Sequence, residues 1–379
     1  MSKVNLCDIC DFQGGSQPPK SQWTTLQQDG YIRMLQIRDF TQPGKVKAEY
    51  VKMTNTTKCC LKDDILIARY GASLGKILTG LSGAYNVAMT KAVPNEAVIS
   101  KKFLYYFLCS DTFQNCILNV GVRAAQAGFN KEDLSNIELY CPDLSIQNKI
   151  CKILELVDVL VNKSKLQLDE LDLLVKSRFV EMFGDLNSNE KNWGKESLKH
   201  HAKVIVGYPF KSKDYTETGI RIVGGYNLMQ GYVVWSECKY WERIDGYEKY
   251  LLEADDIVMA MDRPWVNGGF KISKIDGREL PALLIQRTAC IRAIDIEQDY
   301  LYMLLNSDCF AEHCNIKGSL VPHISNKDID SFEIFIPPHE LQMEFAYFIK
   351  QVDKSKLAIQ QSLDELETLK KSLMQQYFG

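Results

Sequence analysis

The chain has 379 residues, 46% hydrophobic and 25% charged, with a formal net charge of −3 at pH 7. That is too long for one average domain and suits two with substantial cores, while the charge excludes a strongly basic nucleic-acid domain working alone. No apolar run approaches the roughly 20 residues that cross a bilayer. The 12 cysteines are irregularly spaced and no signal-peptide pattern precedes them, so they read as neutral thiols in a reducing cytoplasm.

In chain order, "DDILIARY" (Asp63–Tyr70) reads as a buried strand entered from a turn. Lys101–Asn119 reads as a helix with Phe103, Phe107, Phe113 and Ile117 among its apolar positions. "IELYCP" (Ile137–Pro142) has a strand's length and stops at proline. A long helix follows as far as Phe183-Gly184, and the polar "NSNEKNW" after it has turn character. The same elements then return. "DDIVMA" answers "DDILIA", and "YLYMLLNSDCF" (Tyr300–Phe310) matches "FLYYFLCSDTF" (Phe103–Phe113) at six of eleven positions. "DIDSFEIFIP" answers "DLSNIELYCP", and from there an offset of 195 holds to the closing Phe378-Gly379. Four matches in one order mean an internal duplication. Similarity thins before each "DDI", so each copy has a variable globular part and a preserved helix.

The helices carry alternating three- and four-residue spacing, the signature of a coiled-coil seam. In the first it runs Ile150, Ile153, Val157, Leu160, Ser164, Gln167, Leu171, Leu174. In the second it runs Phe345, Phe348, Val352, Ser355, Ile359, Ser362, Leu366, Leu369, Leu373, and Leu154, Val161, Leu168, Ile349 and Leu363 form a flanking row. About 38 helical residues span roughly 57 Å, more than the 35–40 Å of a domain of this size, so packing on the local domain alone does not use them. Two self-similar helices in one chain favour antiparallel pairing about an approximate twofold axis. The fold class is α+β: two mixed α/β domains, at 1–142 and 185–337, joined by long helices at 143–184 and 338–379.

No catalytic signature appears. "GASLGK" has one residue too few for a phosphate loop, and Ile77 stands where a magnesium-binding hydroxyl belongs. Cys7-x-x-Cys10 lacks a second pair at zinc spacing, so no metal site is expected. What remains is a set of cations and aromatics in or near glycine- and proline-rich loops. In the first domain these are Lys20, Trp23, Arg33, Arg38, Arg69, Ser73, Lys76 and Arg123. In the second they are Lys203, Tyr208, Lys211, Lys213, Arg221, Tyr226, Arg263, Trp265, Lys271, Arg287 and Lys317. Such groups grip phosphate and read bases. Scattered solvent-exposed charge explains any one of them equally well; the set favours a nucleic-acid surface.

The order of parts resembles the specificity subunit of type I restriction-modification systems over essentially the whole chain. The specific elements are Pro142/Gln147 and Pro337/Gln342, each a Pro-x-x-x-x-Gln, and the helices closing "LDELDLLVKSRFVEMFG" and "LDELETLKKSLMQQYFG". The resemblance implies a non-catalytic chain in which each globular part reads one half of a split double-stranded DNA target. The helices would set the gap and dock two methyltransferase subunits. S-adenosylmethionine would sit on those partners, and a motor-nuclease subunit using ATP and magnesium can join them. Two alternatives stay open: a protein-assembly scaffold with two binding heads, and a DNA-binding subunit without its methyltransferase.

Overall fold

The computed structural model describes residues 3–121, 128–266, 268–316 and 322–379. The chain forms two compact units, Met1–Leu166 with Gln360–Gly379, and Gln167–Ile359.

In the first unit, buried Ile65–Ala68 lies inside an antiparallel sheet ordered Cys10–Gly14, Met89–Pro94, Ile65–Ala68, Ile77–Leu78. A second sheet is ordered Tyr50–Lys52, Tyr31–Leu35, Gly83–Tyr85, Cys59–Cys60, and its middle pair is parallel. The second unit repeats the first sheet as Ala202–Val206, Thr288–Ala293, Ile257–Ala260, Ile272–Lys274. Its other sheet is Lys239–Trp241, Ile220–Val223, Ala282–Leu284, in which Ile220–Val223 and Ala282–Leu284 are again a parallel pair. The duplication therefore extends through the region where sequence similarity is lost. At the same crossing in each unit the backbone passes too close for a side chain. A Cβ on Gly15 would lie 2.0 Å from the Asn86 carbonyl oxygen, and one on Gly207 2.0 Å from that of Ile285. Only glycine tolerates such an approach.

The helix expected over Lys101–Asn119 is two helices, Lys101–Cys109 and Asp111–Gly121. Ser110 breaks it: its hydroxyl donates to Phe107 O at 2.6 Å and accepts from Phe113 N at 3.4 Å, ending one helix and capping the next. Ser307 does the same between Gln298–Leu305 and Asp308–His313.

The Pro-x-x-x-x-Gln motifs are internal clamps. Gln147 is fully buried; its amide nitrogen donates to Val98 O and Pro142 O, both at 2.8 Å, and its oxygen accepts from Ser100 N at 2.8 Å. Gln342 donates to Pro337 O and accepts from Glu297 N, each at 2.9 Å. Each glutamine ties the start of a long helix to the cap of the helix inside its domain. Losing such a side chain would leave buried backbone groups without partners.

The long helices are Leu144–Phe183 and His339–Phe378, 40 residues each. Their buried rows differ from the expected seam in one way. Ile150, Val157, Phe345 and Val352 are buried and Leu171, Ile359, Leu366 and Leu373 half-buried, as the spacing suggests. On alternate turns the buried residue comes one position later: Leu154, Val161 and Val175 replace Ile153, Leu160 and Leu174, which are exposed. In the second helix Ile349 and Leu363 replace half-buried Phe348 and exposed Ser362, and the seam residue Leu369 is exposed. The supposed flanking row is thus part of the packed one. Two frames share every second residue, and the domain core selects between them: Leu154 packs in the core of the first unit and Ile349 in that of the second.

The ends of these helices complete the cores. In the first unit Phe378 lies against Phe103, with ring centroids 5.0 Å apart, and Thr112 Oγ1 donates to Phe378 O at 2.6 Å. In the second, Phe183 lies 4.7 Å from the Tyr300 ring and 5.4 Å from that of Phe345. The Phe-Gly that closes each sequence repeat therefore fills the core built by the other repeat. Ion pairs flank the helices inside each unit: Lys370–Asp158 at 2.6 Å and Lys165–Glu367 at 2.8 Å, then Lys356–Asp172 and, at 2.8 Å, Arg178–Glu344.

Candidate nucleic-acid interface

In the first unit the expected cations are largely engaged within the protein. Lys20 and Arg38 both pair with Glu49, and Lys20 also lies 3.8 Å over the Trp23 ring. Arg33 pairs with buried Asp39 at 2.7 Å. Arg69 donates through Nε and Nη2 to Phe129 O, both at 3.3 Å. These pairs leave their mark on Glu49, whose carboxyl is held below the usual range by the Lys20 hydrogen bond first and the Arg38 charge after it. Lys76 is exposed with no ion-pair partner among the described residues.

"GASLGK" forms a single tight turn, Gly71–Ser73. Its amides are already used: Leu74, Gly75 and Lys76 donate to Gly71, Ala68 and Ser73 carbonyls at 2.9–3.0 Å. Half-buried Ser73 and exposed Lys76 thus sit on a closed turn rather than on a phosphate cradle. Burial pushes the Cys10 thiol up to about 12, and among the described residues no group of three His, Cys, Asp or Glu side chains could hold a metal ion.

The second unit presents its cations differently. Lys203, Lys211, Lys213 and Arg263 are not ion-paired among the described residues, and all four are exposed. Arg221 pairs with Glu279 at 3.2 Å and lies 5.9 Å from the Trp235 ring. Tyr208 packs in an aromatic cluster with Phe210, Tyr247 and Tyr250. Tyr226 donates to Ile222 O at 2.8 Å, and burial raises its phenol. Trp265, whose ring lies 4.8 Å from that of Phe270, packs against the core. Arg123 and Lys317 lie outside the described residues.

Five of the expected residues come together. Tyr226, Arg263, Lys271 and Arg287, with Phe210, Asp262 and His323, line an open cavity of about 930 Å³; Tyr208 packs on Phe210 at its edge. Asp262 was not singled out by sequence, nor was His323, because they stand 61 residues apart with no motif linking them. An isolated bridge between Asp262 and His323 joins them. Lys271 is half-buried there, donates to Gly225 O, and burial lowers its ammonium from the ordinary lysine range. Cations and aromatics around an open hollow suit an anionic polymer with readable edges.

The sequence family described as the type I restriction modification DNA specificity domain matches residues 1–171 and 186–368. The chain belongs to that family. It carries the specificity domain twice, which agrees with the resemblance seen in the sequence. The specificity subunit of the MjaVIII type I restriction enzyme of Methanocaldococcus jannaschii is 24% identical over 98% of this chain and 90% of its own length. The specificity subunit of the EcoAI enzyme of Escherichia coli is 33% identical over 33% of this chain and 22% of its own. Among solved structures, the type I restriction-modification S subunit from M. genitalium superposes with a TM-score of 0.57 at 14% identity, covering 100% of this chain and 96% of that one. A chain from a structure of type I R-M complex assembly gives 0.58 at 16% identity, covering 100% and 97%. These likenesses establish the mixed α/β specificity-domain fold. Among the described residues no helix is long and apolar enough to cross a membrane.

Proposed function

We propose that this chain is the cytoplasmic DNA-recognition subunit of a type I restriction-modification complex and has no catalytic chemistry of its own. Residues 1–142 and 185–337 act as two target-recognition domains, each reading one half of a split double-stranded sequence. Residues 143–184 and 338–379 act as an antiparallel coiled-coil spacer with pseudo-twofold symmetry, and two methyltransferase subunits dock on it. One observation carries this reading. The two units repeat the same sheet order while their exposed loops carry different side chains, as expected for reading unlike half-sites. A scaffold binding proteins at both heads has no comparable need for cations around an open hollow.

The docking surface has its own support. Val159, Leu166, Leu173 and Val180 recur every seven residues on Leu144–Phe183 and are each more than half exposed. A row of apolar side chains at heptad spacing suits a partner helix.

Reading methylated positions in the host genome, with and without this gene, tests the proposal. A split motif that vanishes with the gene supports it; an unchanged methylation pattern overturns it. Replacing residues 1–142 with an unrelated recognition domain should change one half of the motif only. One matched heptad added to both helices should widen the gap by about three base pairs, since seven helical residues rise roughly 10 Å and each base pair about 3.4 Å. An unchanged gap would sink the spacer role.

A further inference from the structure

We propose that Arg287 reads a guanine in the half-site bound by the second unit, gripping O6 and N7 with its two terminal nitrogens while Asp262 holds its Nε. This rests on the DNA-recognition reading above and names the base chemistry of one position. Three observations converge on it.

The first is backbone placement. Gln286 and Arg287 occupy the tight turn between Ala282–Leu284 and Thr288–Ala293, and both are exposed. Arg287 has a φ of +64°, in the left-handed region that side chains other than glycine and asparagine avoid. Arg263 (φ +47°) faces the same cavity from another loop. Unfavourable backbone of this kind persists where the surrounding structure enforces it, and here the Arg287 carbonyl is held by Met261 N at 2.9 Å.

Side-chain geometry is the second. Asp262 Oδ2 lies 3.1 Å from Arg287 Nε, and the other carboxylate oxygen lies 2.6 Å from His323 Nδ1. The carboxylate is thereby fixed between two partners and engages the one guanidinium nitrogen that guanine does not need. Nη1 and Nη2 have no partner among the described residues, and the side chain is 73% exposed. A guanidinium held by Nε presents the flat pair of donors that matches guanine O6 and N7 in the major groove.

The third is the equivalent position in the first unit. Arg69 N donates to Ala88 O at 2.8 Å as Met261 N does to Arg287 O, and Gly15 N donates to Met89 O as Gly207 N does to Thr288 O. Ala88 is therefore the counterpart of Arg287, and exposed Val87 that of Gln286. The same turn offers methyl groups in one unit and a guanidinium in the other. Apolar side chains suit the thymine methyl and leave guanine unread.

The test uses the full chain in complex with its methyltransferase partners, on the target defined by methylation mapping. Each guanine is replaced in turn by 7-deazaguanine, which lacks N7. For the wild-type complex one replacement, in one half-site, should weaken binding roughly five- to 150-fold. Arg287→Ala should lose sensitivity at that position alone and accept other bases there. Arg287→Lys should behave like Arg287→Ala, because a single ammonium cannot make the paired contact. Wild-type insensitivity to every replacement overturns the assignment even where a variant fails to assemble. So does uniform weakening on all sequences by Arg287→Ala with recovery by Arg287→Lys, the pattern of a phosphate contact. A wild-type complex with no split target fails earlier and refutes the DNA-recognition reading itself.

Discussion

The two units share their strand order but satisfy their cations in opposite ways. In the first, Lys20, Arg33 and Arg38 are matched by Glu49 and Asp39. In the second, Lys203, Lys211, Lys213 and Arg263 are not ion-paired among the described residues, and Arg287 is held by one carboxylate at its Nε. The loop after the central strand shows the same divergence. Ala68 N donates to Lys76 O and Ala260 N to Lys271 O, so the two lysines are equivalent. Three extra residues in the second loop leave Lys271 half-buried while Lys76 is exposed. A shared framework fixes where loops emerge; side chains on those loops decide how much charge faces outward. The first unit should therefore depend more on shape and apolar contact, and the second on electrostatics.

The framework side of this comparison has the largest effects. Phe183→Ala and Phe378→Ala each remove a buried aromatic ring from a packed core and should each cost about 3–5 kcal/mol in chemical denaturation. Near-equal losses would mark the two units as alike in core; a loss in only one would break the parallel. Gly15→Ala and Gly207→Ala force a carbon to 2.0 Å from a backbone oxygen, and each should cost on the order of 3 kcal/mol by the same measurement. A silent substitution at either position would refute the shared crossing.

Much of the framework was legible in the sequence, and the reason is physical. Strand Ile65–Ala68 and its counterpart are continuous apolar runs, and the long helices repeat at fixed spacing, so local patterns suffice. The choice between two seam frames was not legible. Ile153 and Leu154 are both apolar, and only the core packed on Leu154 separates them. The break at Ser110 was missed because apolar spacing runs through it, whereas a serine hydroxyl bonding in both directions ends the helix. At the candidate site, sequence pointed to cations in loops but could not tell Lys20, matched by Glu49, from Lys211, which has no ion-pair partner among the described residues. Pairing depends on residues 29 positions apart being brought together by the fold.

Smaller effects probe the charge side. Replacing Lys203, Lys211 and Lys213 together with alanine should weaken DNA binding evenly across sequences. The slope of log affinity against log salt should shrink by about 2–3, since each phosphate contact contributes about 0.9. Replacing Lys20 and Arg38 should shrink it less, because Glu49 already neutralises part of their charge. Equal changes would erase the contrast between the units.

Glu49 offers the finest test of that contrast, through both acid and DNA. Its folded pKa lies below the ordinary 4.5, chiefly because Lys20 donates to it and Arg38 adds its charge. A carboxylate whose pKa falls on folding binds fewer protons in the folded state than in the unfolded one. Its stabilisation is therefore fully present above 4.5 and lost as pH drops below that value through the lowered folded pKa. Glu49→Gln should flatten this part of the stability–pH curve in acid titration and leave stability near neutral pH slightly reduced. In the same variant Lys20 and Arg38 lose their carboxylate, so the salt slope of DNA binding should steepen toward the value that Lys203, Lys211 and Lys213 produce in the second unit. A variant that flattens the acid limb without changing the salt slope would place Lys20 and Arg38 away from the phosphates, leaving the first unit to recognise its half-site by shape and apolar contact alone.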